Sequence, residues 1–419
     1  MSGLFLLVRR SLRRHALSTS VTVFAVALAS GLVISVFSIQ QQTQEAFAGG
    51  DIGFDAVLGA RGSALQLVLN TVFHLETSPG NLPLSMYEKI KADPRVKIAI
   101  PYATGDNYLG YRVVGTTPEI FTDFEYQKGR HLEVVDGRAF DPARREACVG
   151  SFAARETGLK VGDTFQPFHG LLYDPTTAEH HEEEYVVVGV LKPTNTPSDR
   201  VIWIPMEGVY WMGGHVLRGT GEVFTPTLGQ PIPEEAKEVS AIMIKFRAPT
   251  AGFQLDQEIN RQGTVATLAF PIARVMSDLF RRIGWMSRVL ELVAYLVVIV
   301  SAASILAAMY NTINERRREF AILRALGARR RTVFTAIVLE SAAIAAMGAA
   351  LGLVVYAAIL SVAYYIVREQ TGVVLEVFGY HPVLVIAPLG MIALGALAGI
   401  IPALRAYATD VASNLAPHS

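Results

Sequence analysis

One cysteine, Cys148, occurs in 419 residues. No intrachain disulfide is possible, and no Cys-based metal site, so a domain outside the cytoplasm has to rely on its own core. Net charge is also missing: 37 basic side chains balance 37 acidic ones. No bulk field draws the chain to nucleic acid. There is no G-x-x-x-x-G-K-(S/T) loop, whose backbone amides and lysine would cradle nucleotide phosphates, so the chain is not itself an ATPase of that kind. Ser151, Ser198 and Ser240 lack a G-x-S-x-G setting, and Asp106, Asp123, Asp136 and Asp141 show no regular ligand spacing. The expectation is a protein that is not an enzyme and has no cofactor of its own.

Long hydrophobic runs are present. Apolar residues make up 51% of the chain, concentrated in four blocks around a middle of ordinary soluble composition. Each block exceeds the roughly 20 residues needed to cross a bilayer. The predicted organisation is a cytoplasmic N-terminus (1–15), a first span (16–39), an extracytoplasmic domain with helical stalks (40–288), a second span (289–310) and a cytoplasmic coupling loop (311–332). A third span (333–367), a short outer loop (368–381), a fourth span (382–404) and a cytoplasmic tail (405–419) follow. The fold class is an α-helical membrane protein with four transmembrane helices plus an α+β domain inserted between helices 1 and 2. A cleaved signal peptide ending near Ala46-Phe47-Ala48 is the competing reading of the first block. Its length and the intervening Gln40-Gln41-Gln42 disfavour that reading.

Arginine sets the direction. Arg9, Arg10, Arg13 and Arg14 precede the first span, and seven arginines lie between Arg316 and Arg331. Only Arg368 lies in the short loop. By the positive-inside rule both termini and the 311–332 loop are cytoplasmic. Gly348 with Gly352, and Gly395 with Gly399, form GxxxG pairs suited to close helix contact. Glu340 and Glu291 have no companion chain of titratable groups for a proton relay. Glu340 reads as a packing or hydrogen-bonding group near the cytoplasmic interface.

In the inserted region, Val96–Pro101, Tyr108–Gly115, Tyr185–Leu191, Val201–Ile204 and Val239–Phe246 read as strands. Segments 63–75, 83–92 and 151–159 read as helices, as does most of 255–287. Residues 60–69 suit either a surface helix, against the membrane or a dimer partner, or ordinary core. His180 and His181, with His169 upstream, are ligand types for a borderline metal such as zinc; solvated loop histidines are the commoner outcome.

Residues 315–326 have helical spacing, with Phe320, Leu323 and Leu326 on one face, Ile322 beside it, and Gly327 placed as the stop. Two roles suit such a helix: a basic interfacial anchor on anionic lipid, or a docking helix for a cytoplasmic partner.

Glu315-Arg316-Arg317-Arg318-Glu319-Phe320-Ala321-Ile322-Leu323-Arg324-Ala325-Leu326-Gly327-Ala328 resembles the E-R-x-x-E-(I/F)-(A/G)-I-L-R-A-L-G-A stretch of MacB/FtsX/LolC-type ABC transporter permeases. Ala398 to Ala406, with Gly399 and Pro402-Ala403, resembles that family's last-span ending. Asp410-Val411-Ala412 is similar to its D-P-A, with valine for proline. Weaker matches run through Val149-Gly150, Gly158 to Asp163 and Val186 to Val190.

The resemblance implies a multi-pass bacterial inner-membrane protein that pairs with a second permease subunit, as homo- or heterodimer. It implies a separate ABC ATPase, holding ATP and Mg, that docks on Glu315, Arg316, Arg317, Glu319, Phe320, Leu323, Arg324, Leu326 and Gly327. MacB itself carries a fused ATPase domain, whereas about 15 residues precede the first span here. The implied work is mechanotransmission acting on a lipoprotein, lipid, peptide or small hydrophobic cargo, with a possible periplasmic partner protein. The alternatives are an FtsX-like regulator of a cell-wall hydrolase, a metal-related ABC system using the His-rich outer loop, or a membrane-anchored sensor. The last has no use for the 315–327 motif.

Overall fold

The structure is a computed structural model. It describes residues 2–408 except 49–51, 172, 177, 218–222, 228–229, 373, 375, 377–378 and 380. The Asp410-Val411-Ala412 stretch and the end of the expected tail lie outside the described residues. The chain divides into a helical unit (residues 1–43, 283–366 and 375–419) and an inserted unit (44–282 with 367–374).

Four helices are long and apolar enough to cross a membrane: Ala16–Ala48, Ile272–Glu315, Arg330–Thr371 and Val383–Ala408. Two of them, Ala16–Ala48 and Ile272–Glu315, extend well past the expected spans as helical stalks, because polar and charged residues there continue the helix instead of ending it. A further helix, Ser2–Arg14, precedes them. From sequence this stretch is expected only as a basic segment.

Inside the helical unit, Val26, Ala29, Ile305, Met309, Ile344, Ala345 and Met391 form one buried cluster. Glycines permit the approach of backbones that this cluster needs. A methyl group on Gly348 would lie 2.5 Å from Val26 Cβ and 3.0 Å from the Val23 carbonyl oxygen; on Gly352 it would lie 2.7 Å from Ser30 Cβ. Methyls on Gly395 and Gly399 would collide with Ala345 and Ser341.

The inserted unit is α+β, centred on an eleven-stranded mixed sheet. Its main path runs 266–269, 56–60, 241–246, 96–108, 111–116, 202–205, 146–149, 185–191, 134–137. Two pairings are parallel, 202–205 with 111–116 and 185–191 with 146–149. The thirteen-residue strand Val96–Tyr108 is the seam. Residues 96–102 pair with 241–246, and residues 103–108 pair with 111–116. Trp203, Leu58, Leu67, Ile100 and Tyr185 are fully enclosed.

Most of the elements expected here are present, shifted by a few residues at their ends. The exception is 255–287. A strand, Ala266–Ala269, pairs with 56–60 before the last long helix starts at Ile272. The Val-Ala-Thr-Leu-Ala run and the proline at 271 favour extended backbone there over helix. The 60–69 stretch is core: Ser63 caps helix Ala64–Thr71, and Leu67 and Val68 are buried.

Candidate functional site

The long helix Ile272–Glu315 ends one residue before the short helix Arg317–Ala325 begins. Arg316, at φ −102° and ψ 8°, makes the corner between them. Its guanidinium is buried, which a free charge would not tolerate. Nη1 donates to Ser11 Oγ at 2.6 Å and to Glu340 Oε2 at 3.3 Å, and Nε donates to Glu319 Oε2 at 3.1 Å. The Phe320 ring lies 4.9 Å from the guanidinium carbon, within cation–π range. Ser11 Oγ donates in turn to Glu340 Oε1. The corner therefore ties together the helices Ser2–Arg14, Arg317–Ala325 and Arg330–Thr371. Arg14 adds an exposed pair with Glu319 at 2.6 Å, and His15 Nδ1 lies 3.2 Å from Glu315 Oε2.

The other end of the short helix closes on Gly327, at φ +99°, a left-handed conformation that favours glycine. Gly327 N–H donates to Arg324 O and Ala328 N–H to Leu323 O, each at 3.0 Å. These two bonds make a Schellman stop.

The structure divides the nine sequence-predicted docking residues. Phe320 is buried with Ile313, Val333, Ile337 and Ala403, and Leu323 packs against that cluster. Arg316 is buried as well. Facing outward are Leu326, 80% exposed, and Ile322, 44% exposed, with Glu315 exposed and Glu319 and Arg324 half-buried. The side chain of Arg317 is outside those described. The expected apolar face is thus two faces, one internal and one external. A stretch this short carries no signal telling them apart, because the internal partners come from residues 313, 333–337 and 403. Ser11 was missed for the same reason: its partner Glu340 is 329 residues away.

In the inserted unit, His180 and His181 diverge. His180 bridges to Phe168 on the exposed side, whereas His181 turns inward beside Asp106. Cys148 is buried in the sheet, and burial pushes its thiol up to about 12, which leaves it unreactive.

Comparison with known proteins places both units. Residues 19–262 match the MacB-like periplasmic core domain, and residues 291–411 match the FtsX-like permease C-terminal family. Among solved structures the chain is similar to the periplasmic region of MacB from Actinobacillus actinomycetemcomitans, with 10% identity over 55% of this chain and 94% of that one, and a TM-score of 0.34. It is also similar to the extracellular domain of the noncanonic ABC-type transporter YknZ from Gram-positive bacteria, with 14% identity over 51% and 99% and a TM-score of 0.28. No curated protein sequence matches. With more than half its length in the first family and most of three of its four long apolar helices in the second, the chain belongs to the MacB/FtsX type of ABC transporter permeases.

Proposed function

We propose that the chain is the permease subunit of an ABC transporter and that a separate ATPase docks on the helix Arg317–Ala325. One observation carries the reading: this helix is anchored by Arg316 and Phe320 on one side while Ile322 and Leu326 are exposed on the other. Apolar side chains framed by charges suit a groove on a soluble partner. ATP and Mg belong to that partner. The arginines around this helix and before the first span support a cytoplasmic position for it and for both termini in a bacterial inner membrane, with the inserted unit outside.

Chemistry in the ATPase then reaches the inserted unit as motion. Helices Ile272–Glu315 and Arg330–Thr371 each begin in one unit and end in the other, and an unbroken helix passes on displacement. Two permease subunits working on a lipoprotein, lipid, peptide or small hydrophobic cargo fit this arrangement.

Co-expression with the cognate ABC ATPase tests the docking. The double variant Ile322→Asp, Leu326→Asp should reach the membrane in normal amount and lose co-purification of the ATPase. Undiminished co-purification would remove the helix from the interface.

A further inference from the structure

Three separate backbone segments meet at Asp106. Strand Val96–Tyr108 carries it just past an irregularity between Thr104 and Asp106. The short strand Phe168–His169 pairs with that strand and sets His169 directly opposite Asp106. The chain then returns: His180 bridges to Phe168, His169 N–H donates to Glu179 O at 2.7 Å, and His181 N–H donates to Pro167 O at 2.8 Å. Backbone bonds thus hold all three side chains in place.

His181 Nε2 lies 3.0 Å from Asp106 Oδ1, and His169 Nδ1 lies 3.8 Å from the same oxygen. One ligand atom from each residue lies within 4.8 Å of the other two. Asp106 and His181 are buried, and His169 is half-exposed. The strand pairing that sets His169 opposite Asp106 brings a second imidazole to the same carboxylate, with its ring 5.4 Å from that of His181. A tetrahedral ion with bonds of roughly 2.0–2.1 Å to nitrogen and carboxylate oxygen spaces its ligand atoms about 3.3 Å apart. The two separations bracket that edge. Two imidazoles and one carboxylate suit zinc and its neighbours in the first transition row, whereas calcium and magnesium take oxygen ligands.

We propose that Asp106, His169 and His181 form a binding site for a divalent zinc-type ion in the inserted unit. The ion enters between His181 Nε2 and Asp106 Oδ1 in place of their hydrogen bond, with the neutral imidazole carrying its proton on Nδ1. Three protein ligands leave a fourth position open, as in exchangeable sites. His169 also lines a cavity of about 390 Å³ with Thr104, Tyr210, Glu238 and Ser240, which provides a route for water or an added ligand. His180 has no part in the site, although it adjoins His181 in sequence.

The test is titration of the full-length protein in detergent with zinc alone, in competition with a fluorescent chelator. Wild type and His180→Ala should each bind one ion. His169→Ala leaves the Asp106–His181 hydrogen bond in place and should weaken binding at least about tenfold. Zinc should raise the melting temperature of wild type and not of His169→Ala. His181→Ala and Asp106→Asn should follow His169→Ala. Absence of saturable binding in wild type would overturn the site. Wild-type affinity in His169→Ala would do the same, as would loss of binding in His180→Ala alone. The docking variant at Ile322 and Leu326 should bind zinc normally, so the two readings fail separately.

Discussion

The helical unit and the inserted unit solve opposite problems with the same amino acids. In the inserted unit the interior is mainly apolar, with Trp203, Ile202, Leu58 and Ile100 enclosed beside a few buried charged groups such as Asp106 and Glu146. In the helical unit Leu292, Ile299, Val354 and Ile386 face outward, while Ser30, Ser301, Ser341, Arg316 and Glu340 are buried. Water drives apolar groups together, but lipid tails are as apolar as leucine. Helices in that setting associate through close backbone contact and through polar groups that cannot be left unpaired. Glycine and the Arg316–Glu340 pair therefore do in one unit what leucine and tryptophan do in the other.

The contrast breaks most visibly at the ion pair. Glu340→Ala removes the buried carboxylate of Arg316 and leaves it only the half-exposed Glu319, and should destabilise the helical unit by up to about 3–5 kcal/mol. Thermal unfolding in detergent reads this out, with the melting of the inserted unit unchanged. Replacing both partners together, Arg316→Met with Glu340→Met, should recover most of the loss; if it does not, the pair does more than satisfy its own burial. Next in size is Gly348→Leu, which forces a side chain into Val26 and the Val23 carbonyl. A cost of about 1–3 kcal/mol is expected in the same measurement, and a neutral result would argue against tight packing there.

A pH-dependent effect sharpens the other side of the comparison. Burial, then the nearby Arg112 and Arg200, hold His74 down at about 3. The folded state keeps this imidazole neutral where the unfolded chain, at about 6.5, takes up a proton. Its stabilisation is complete above the unfolded value and falls as pH drops from there towards 3, by at most about 1.4 kcal/mol per pH unit. Melting of the inserted unit across that window should show this slope, and His74→Leu should flatten it.

How much of this was written in the sequence depends on how far apart the partners lie. Four spans, the stop at Gly327 and strand 185–191 rest on neighbours within a few residues, and composition reveals them. The two faces of Arg317–Ala325 depend on residues 313, 333–337 and 403, so local periodicity counted Phe320 and Leu326 as one stripe. In helix Ser2–Arg14 four arginines outweigh the apolar face, so the stretch reads as a basic segment. His180 and His181 stood out as a pair only because they are adjacent. Adjacent residues beyond a β-bridge point to opposite sides, and the partners of His181 are 75 and 12 residues away.

The seam strand has a consequence for exchange with heavy water. Residues 96–102 and 103–108 are bonded to different neighbours, yet they form one continuous backbone. Neither half of the sheet can release its edge without loosening the strand that the other half uses. Amides on both sides of Tyr102 should therefore become deuterated at a common slow rate, set by opening of the whole sheet, while those at its far margins, 134–137 and 266–269, exchange ahead of them.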